Sequence, residues 1–230
     1  MFYWNPMYFV FALPALLLAF YAQIRVKSAY SRYLREPNMR GVSGVEAADA
    51  ILSGEGLGHI SIDGVPGELT DHYDPRTKTL GLSAGVARGR SVASLAVVAH
   101  EIGHALQDAQ GYAPLKLRTG LVPAVTVASW VGPLLFLVGY LFASPTLAWI
   151  GVLGFAAGAV FALVTLPVEF NASQRGLRLL QTYQLVDRRE LAGAKSVLDA
   201  AALTYVAALA QAIATLLYYI FLLGGFRRRD

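Results

Sequence analysis

Four histidines occur in the 230-residue chain, and two of them flank a glutamate in His100-Glu101-Ile102-Gly103-His104. This is the HExxH pattern. Four helical residues turn through about 400°, so the two imidazoles lie about 40° apart and one turn from each other. Both can reach one ion at about 2.0–2.1 Å, the zinc–imidazole distance. Zinc lowers the pKa of a bound water to about 7 and polarises a carbonyl. Glu101 stands beside His100, where it can take that water's proton and pass it to a leaving amine. The predicted chemistry is metal-assisted hydrolysis of a peptide bond, with one zinc per chain.

That geometry requires a helix, and the flanking residues predict one from Ser91 through about Gln107. Ser91 can cap its start. Ala93, Leu95, Ala96, Val97, Val98, Ala99, Ile102, Ala105 and Leu106 supply good helix formers and a core face. Gly103 gives up about 1 kcal/mol of helix propensity, and its missing side chain is expected to leave room near the metal. A catalytic zinc site has three protein ligands and one open position. Glu169 is the candidate third ligand, because a carboxylate at the edge of an apolar helix needs a partner. His59, His72 and Asp74 are its rivals.

Around these residues the chain is built for a membrane. Hydrophobic residues make up 56% of it and charged residues 15%, where a soluble domain has roughly a quarter charged. Mean hydropathy is +0.49. Met7–Ile24, Leu121–Phe142, Leu147–Val168 and Ala200–Phe226 carry no charge, and each is long enough to span the hydrocarbon core. The expected divisions are an anchor over 1–24, a catalytic portion over 25–120, a transmembrane hairpin over 121–168, a polar segment with the third ligand over 169–199, and a membrane helix with a basic tail over 200–230. Trp4, Tyr8 and Tyr21 suit the interfaces of the first span. Gly154 and Gly158, with Gly151 one turn before, form a small-residue face for helix packing. Residues 25–120 and 169–199 hold 16 of the 19 Lys and Arg, so both segments and the active site are expected on the cytoplasmic face of a cell membrane. Arg227–Arg229 oppose that bias.

Several classes are excluded. Without cysteine there is no disulfide, thiol nucleophile or Cys-ligated metal. A formal charge of +4 with basic residues beside apolar runs suits lipid headgroups rather than nucleic acid. Gly64–Gly67 lacks the Lys-Ser/Thr ending of a phosphate loop. Thr79–Ser83 reads as a strand before the motif helix, either at an edge where an extended peptide could pair or simply as a strand within a sheet. His72, Tyr73 and Arg175 are candidate donors to an oxyanion.

Three segments carry a resemblance. They are His100–Asp108, Leu69–Lys78 (Leu-Thr-Asp-His-Tyr-Asp-Pro-Arg-Thr-Lys) and Pro167–Ser173 (Pro-Val-Glu-Phe-Asn-Ala-Ser). Together with Ala201–Ala207 they make the chain similar, over nearly its whole length, to the YugP-type family of bacterial membrane zinc peptidases. The resemblance implies a gluzincin-like metallopeptidase with His100, His104 and Glu169 as ligands and Glu101 as the general base. It also implies a mainly α-helical integral membrane protein, with about four transmembrane helices and a small α+β zincin-like catalytic portion. Related gluzincins place an Asp one turn after the metal Glu to orient a histidine. Here Ser173 takes that position, with Asn171 nearby, and a neutral group can still bond an imidazole N–H.

The expected partners are a polypeptide substrate and the lipid bilayer, with oligomeric state left open. Two other readings remain. A scaffold or chaperone with a structural zinc would leave Glu101 dispensable. A site-2-type intramembrane protease would put the motif inside a spanning helix and add an Asp-Gly pair in a later apolar run, which this sequence lacks.

Overall fold

A computed structural model of the chain describes residues 6–226; Trp4 and Arg227–Arg229 lie outside them. The elements in order are α1 (Pro6–Leu34), α2 (Gly44–Gly54), β1 (Ser61–Val65), β2 (His72–Asp74), β3 (Thr79–Ser83), α3 (Ala84–Arg88), α4 (Val92–Ala109), α5 (Ala113–Leu141), α6 (Pro145–Thr182) and α7 (Arg188–Phe226). Helices α1, α5, α6 and α7 are long and apolar enough to cross a membrane. At most 22% of the residues in their apolar windows are buried. Trp130, Leu141, Phe142 and Leu153 stand open. Apolar exposure on this scale does not suit water, whereas a helix satisfies its own backbone in lipid. The chain is a mainly α-helical membrane protein with a small α+β portion.

The described residues form two compact units. One comprises Ile24–Leu115 and Val168–Ala202, and the other holds the rest. In the second, α5 and α6 form the expected hairpin. Added Cβ atoms at Gly139, Gly151 and Gly154 would come within 2.3 Å of Ala148 N, 2.4 Å of Phe136 N and 2.7 Å of Gly132 Cα. Gly158 meets nothing within 4 Å. The small-residue contact expected at Gly154 and Gly158 is therefore corrected to Gly151 and Gly154. Close packing runs outward from the short connection and has ended by Gly158.

The other unit carries the sheet and the motif helix. Ser43 and Glu46 close a reciprocal capping box that starts α2. Ser91 caps α4, its Oγ accepting from Ser94 N–H at 3.1 Å. The strand order is β1-β3-β2. β1 runs parallel to β3 with Ser61 opposite Thr79, and β2 runs antiparallel to it with His72 opposite Gly81. Thr79–Ser83 is thus the centre of the sheet, so of the two readings the plain sheet strand holds and the edge strand is overturned. Its Leu80 and Leu82 are fully buried, as a strand flanked on both sides requires, and β1 and β2 are the edges. The core of this unit gathers Ile51, Leu80, Leu82, Leu95, Ile102 and Leu180. It seats α4 among α2, the sheet and the polar end of α6. Helix α6 continues unbroken through Pro167, so Glu169 sits within a helix.

Candidate active site

Where α4 meets α6, two glycines remove the side chains that would hold the helices apart. A Cβ on Gly103 would lie 2.4 Å from Ala172 O, and one on Gly176 would lie 2.8 Å from Ala99 C and O. The room that Gly103 leaves is therefore filled by the backbone of α6. This close approach sets Glu169 and Ser173, one turn apart on α6, against His100 and His104, one turn apart on α4. Gly103→Ala is expected to force the helices apart, because a backbone carbonyl cannot rotate away. Overpacking of this kind costs about 1–3 kcal/mol. Thermal melting should fall and bound zinc should fall with it, whereas melting alone would change if the contact were merely structural.

His100 Nε2 and His104 Nε2 lie 3.3 and 3.5 Å from the same oxygen, Glu169 Oε2. The ligating atoms of the three residues all fall within 4.8 Å of one another, and among the described residues no other such group occurs. Neutral N–H···O bonds centre near 2.9–3.0 Å. Two ligands at about 2.1 Å from a common tetrahedral ion stand about 3.4 Å apart. The observed spacings match the second figure. Glu169 is 2% exposed, while the imidazole side chains keep 13% and 12% of their surface open, so the cluster is closed behind and accessible in front. Burial opposes protonation of His104, but Glu169 and Glu101 outweigh it and raise its pKa. A field that retains a proton there also favours a dication. The donor set of two imidazoles and one carboxylate fits zinc.

The far nitrogens of the imidazoles are also engaged. His100 Nδ1 lies 3.1 Å from Ser173 Oγ, and His104 Nδ1 lies 3.0 Å from Gln107 Oε1. Asn171 stands one step further out, its Oδ1 accepting from Gln107 Nε2 at 3.0 Å and from Arg175 Nε at 2.7 Å. Arg175 also donates to Gln110 Oε1 at 2.6 Å.

Glu101 is held from the sheet. Its Oε2 accepts from Tyr73 N–H on β2 at 3.1 Å. Seven residues on, and so on the same face of α4, Asp108 Oδ2 accepts from Tyr73 Oη at 2.7 Å and from Lys78 Nζ at 2.5 Å. The edge strand is thereby pinned to the motif helix at two points. Desolvation raises the Glu101 pKa against the pull of His100 and His104, which suits a carboxylate that must take up a proton. Burial and then Asp108 push the Tyr73 hydroxyl above the usual phenol range, so that it remains a donor to Asp108.

The other candidates lie elsewhere. His72 is exposed, with Nδ1 2.9 Å from Thr70 O and its ring over Gly81, on the face of β2 opposite Tyr73. His59 is exposed in the loop before β1. Asp74 Oδ1 accepts from Arg76 N–H in the turn after β2. None of the three joins the cluster. Sequence reasoning assigned no role to Gln107, Asp108 or Gln110. Their spacing held the signal: Gln107 follows His104 by three, and Asp108 follows Glu101 by seven.

Comparison with known proteins gives a consistent picture. Residues 8–224 match the family model described as "Putative neutral zinc metallopeptidase". The chain is 42% identical over 215 residues to "Putative membrane protease YugP" of Bacillus subtilis (strain 168), covering 93% of this chain and 96% of that protein. No solved structure matches the chain significantly.

Proposed function

The chain belongs to the neutral zinc metallopeptidase family, and from that premise we propose that it is a membrane-bound endopeptidase with one zinc ion held by His100, His104 and Glu169. The observation that carries this reading is the convergence of two imidazole nitrogens on one buried carboxylate oxygen at ligand spacing. Bound zinc would supply Lewis acidity toward water and the scissile carbonyl.

The remaining steps fall to the chain's own residues. Glu101, held by Tyr73 N–H, accepts the proton of the attacking water and returns it to the departing amine. Ser173 and Gln107 steady the imidazoles from behind. Neither Tyr73 Oη nor His72 is placed as the oxyanion donor, since each is engaged elsewhere. The substrate is a polypeptide at or near the membrane, because Glu169 follows the apolar stretch of α6 directly. The excess of Lys and Arg in the segments that carry the site assigns it to the cytoplasmic face. The motif helix α4 is not among the four helices suited to cross a membrane, which disfavours a site-2-type arrangement.

The test is metal removal. Protein purified in detergent should cleave an unfolded protein substrate, lose that activity on dialysis against a chelator, and regain it as zinc returns to one equivalent per chain. Activity that persists in the metal-free protein would overturn the reading.

A further inference from the structure

We propose that Gln107 fixes His104 in the tautomer that leaves Nε2 unprotonated toward the metal, and couples that choice to the helix carrying Glu169. This rests on the metal reading above. It concerns a residue whose side chain touches neither water nor substrate: Gln107 is fully buried.

The inference follows from donor counting. Arg175 has only donors, so the Asn171 atom 2.7 Å from its Nε is an oxygen. That oxygen, and the Val168 carbonyl, can only accept. Gln107 must therefore direct its amide nitrogen at both, at 3.0 and 2.8 Å. Its Oε1 is left facing His104 Nδ1 at 3.0 Å and can only accept there. The proton on Nδ1 is thereby fixed, and Nε2, which faces Glu169 at 3.5 Å, is the nitrogen left to give its lone pair to an ion.

Every polar atom of Gln107 is used, as a buried amide requires. The alternative tautomer would set two acceptors against each other in a dry site. His100 has no such device. Its Nδ1 faces the Ser173 hydroxyl, which can donate or accept and so leaves either tautomer open. One ligand is fixed by protein alone, and the other is free to adjust. The two acceptors on α6, Val168 O and Asn171 Oδ1, lie either side of Glu169. The group that orients His104 is thus held by the turn that delivers the third ligand.

The experiment uses the full chain in detergent with His59→Gln and His72→Gln as background, so that only His100 and His104 report. In the metal-free protein, at a pH high enough that both imidazoles are neutral, ¹⁵N-histidine spectra should show His104 in the Nδ1–H form. Gln107→Met, similar in size but without the amide, should shift it toward a tautomer mixture and weaken zinc binding about 10–100-fold in competition with a chromophoric chelator. Gln107→Glu retains an acceptor for Nδ1–H but sets a second oxygen against Val168 O and Asn171 Oδ1, so it should keep the wild-type tautomer while losing stability and some affinity. The inference fails if Gln107→Met only lowers the melting temperature while tautomer and affinity stay unchanged. It fails equally if Gln107→Glu, which keeps the acceptor facing Nδ1, shows the same tautomer mixture as Gln107→Met. A background protein that binds no zinc, yet shows the Nδ1–H tautomer, would instead strike at the metal reading.

Discussion

Glu101→Gln is expected to retain bound zinc and lose hydrolysis. The carbonyl oxygen of glutamine can still accept from Tyr73 N–H, so the side chain keeps the anchor that now holds Glu101 Oε2 at 3.1 Å. The three residues of the metal cluster are untouched. The capacity to receive a proton is what disappears. General-base catalysis contributes typically 10²–10⁴-fold, and kcat should fall by about that much with little change in KM. Zinc content per chain and single-turnover cleavage of an unfolded substrate separate the two effects. A scaffold or chaperone with a structural zinc would behave identically with either residue. Loss of zinc along with activity would show instead that Glu101 is a ligand.

Much of this architecture is visible in residue types and spacing. The four apolar runs announce their helices because charge is absent over a membrane's thickness. The motif helix is legible from Ser91 onward because capping chemistry and an apolar face coincide with HExxH. Glu169 stands out as a carboxylate where an apolar run ends. What stays hidden depends on which surfaces meet. Gly103 looks like a local concession in a helix, and only the crossing of α6 shows that a carbonyl occupies its place. Thr79–Ser83 reads the same locally whether central or at an edge; the parallel partner Ser61–Val65 decides it. β2 is three residues long, too short for an alternation signal, yet its Tyr73 amide holds the Glu101 carboxylate. Gln107 lies inside the motif segment, but its role depends on acceptors contributed 61 and 64 positions later. Side chains that bind metal or protons advertise themselves by type. Those that orient them are ordinary polar residues, whose spacing places them on the same helix face but whose partners only long-range geometry reveals.

The second large effect concerns Glu169, the proposed third ligand, which sequence alone left in competition with three other residues. Glu169→Ala is expected to reduce zinc affinity about 10²–10⁴-fold, since about 10–16 kcal/mol of binding shared among three protein ligands is about 3–5 kcal/mol for each. The conservative change should do little better. Asp at 169 withdraws the carboxylate by about one carbon–carbon bond, and α6 cannot follow it inward because Ala172 already rests against Gly103. Glu169→Asp should therefore resemble Glu169→Ala in zinc content rather than the wild type. Ser173→Ala, which removes only an orienting bond to His100, should cost about 10–100-fold. The order Glu169→Ala, Glu169→Asp, Ser173→Ala, wild type in rising zinc affinity is the signature of a carboxylate ligand on a rigid helix. Wild-type zinc content in Glu169→Ala would move the third ligand elsewhere, and His72 and Asp74, which flank the Tyr73 amide bonded to Glu101 though they lie outside the cluster, would be the first to examine. Near-normal binding in Glu169→Asp would have a different meaning. The carboxylate would be a ligand, but α6 would have to slide toward α4, and the contact at Gly103 would be softer than the 2.4 Å left to an added Cβ implies.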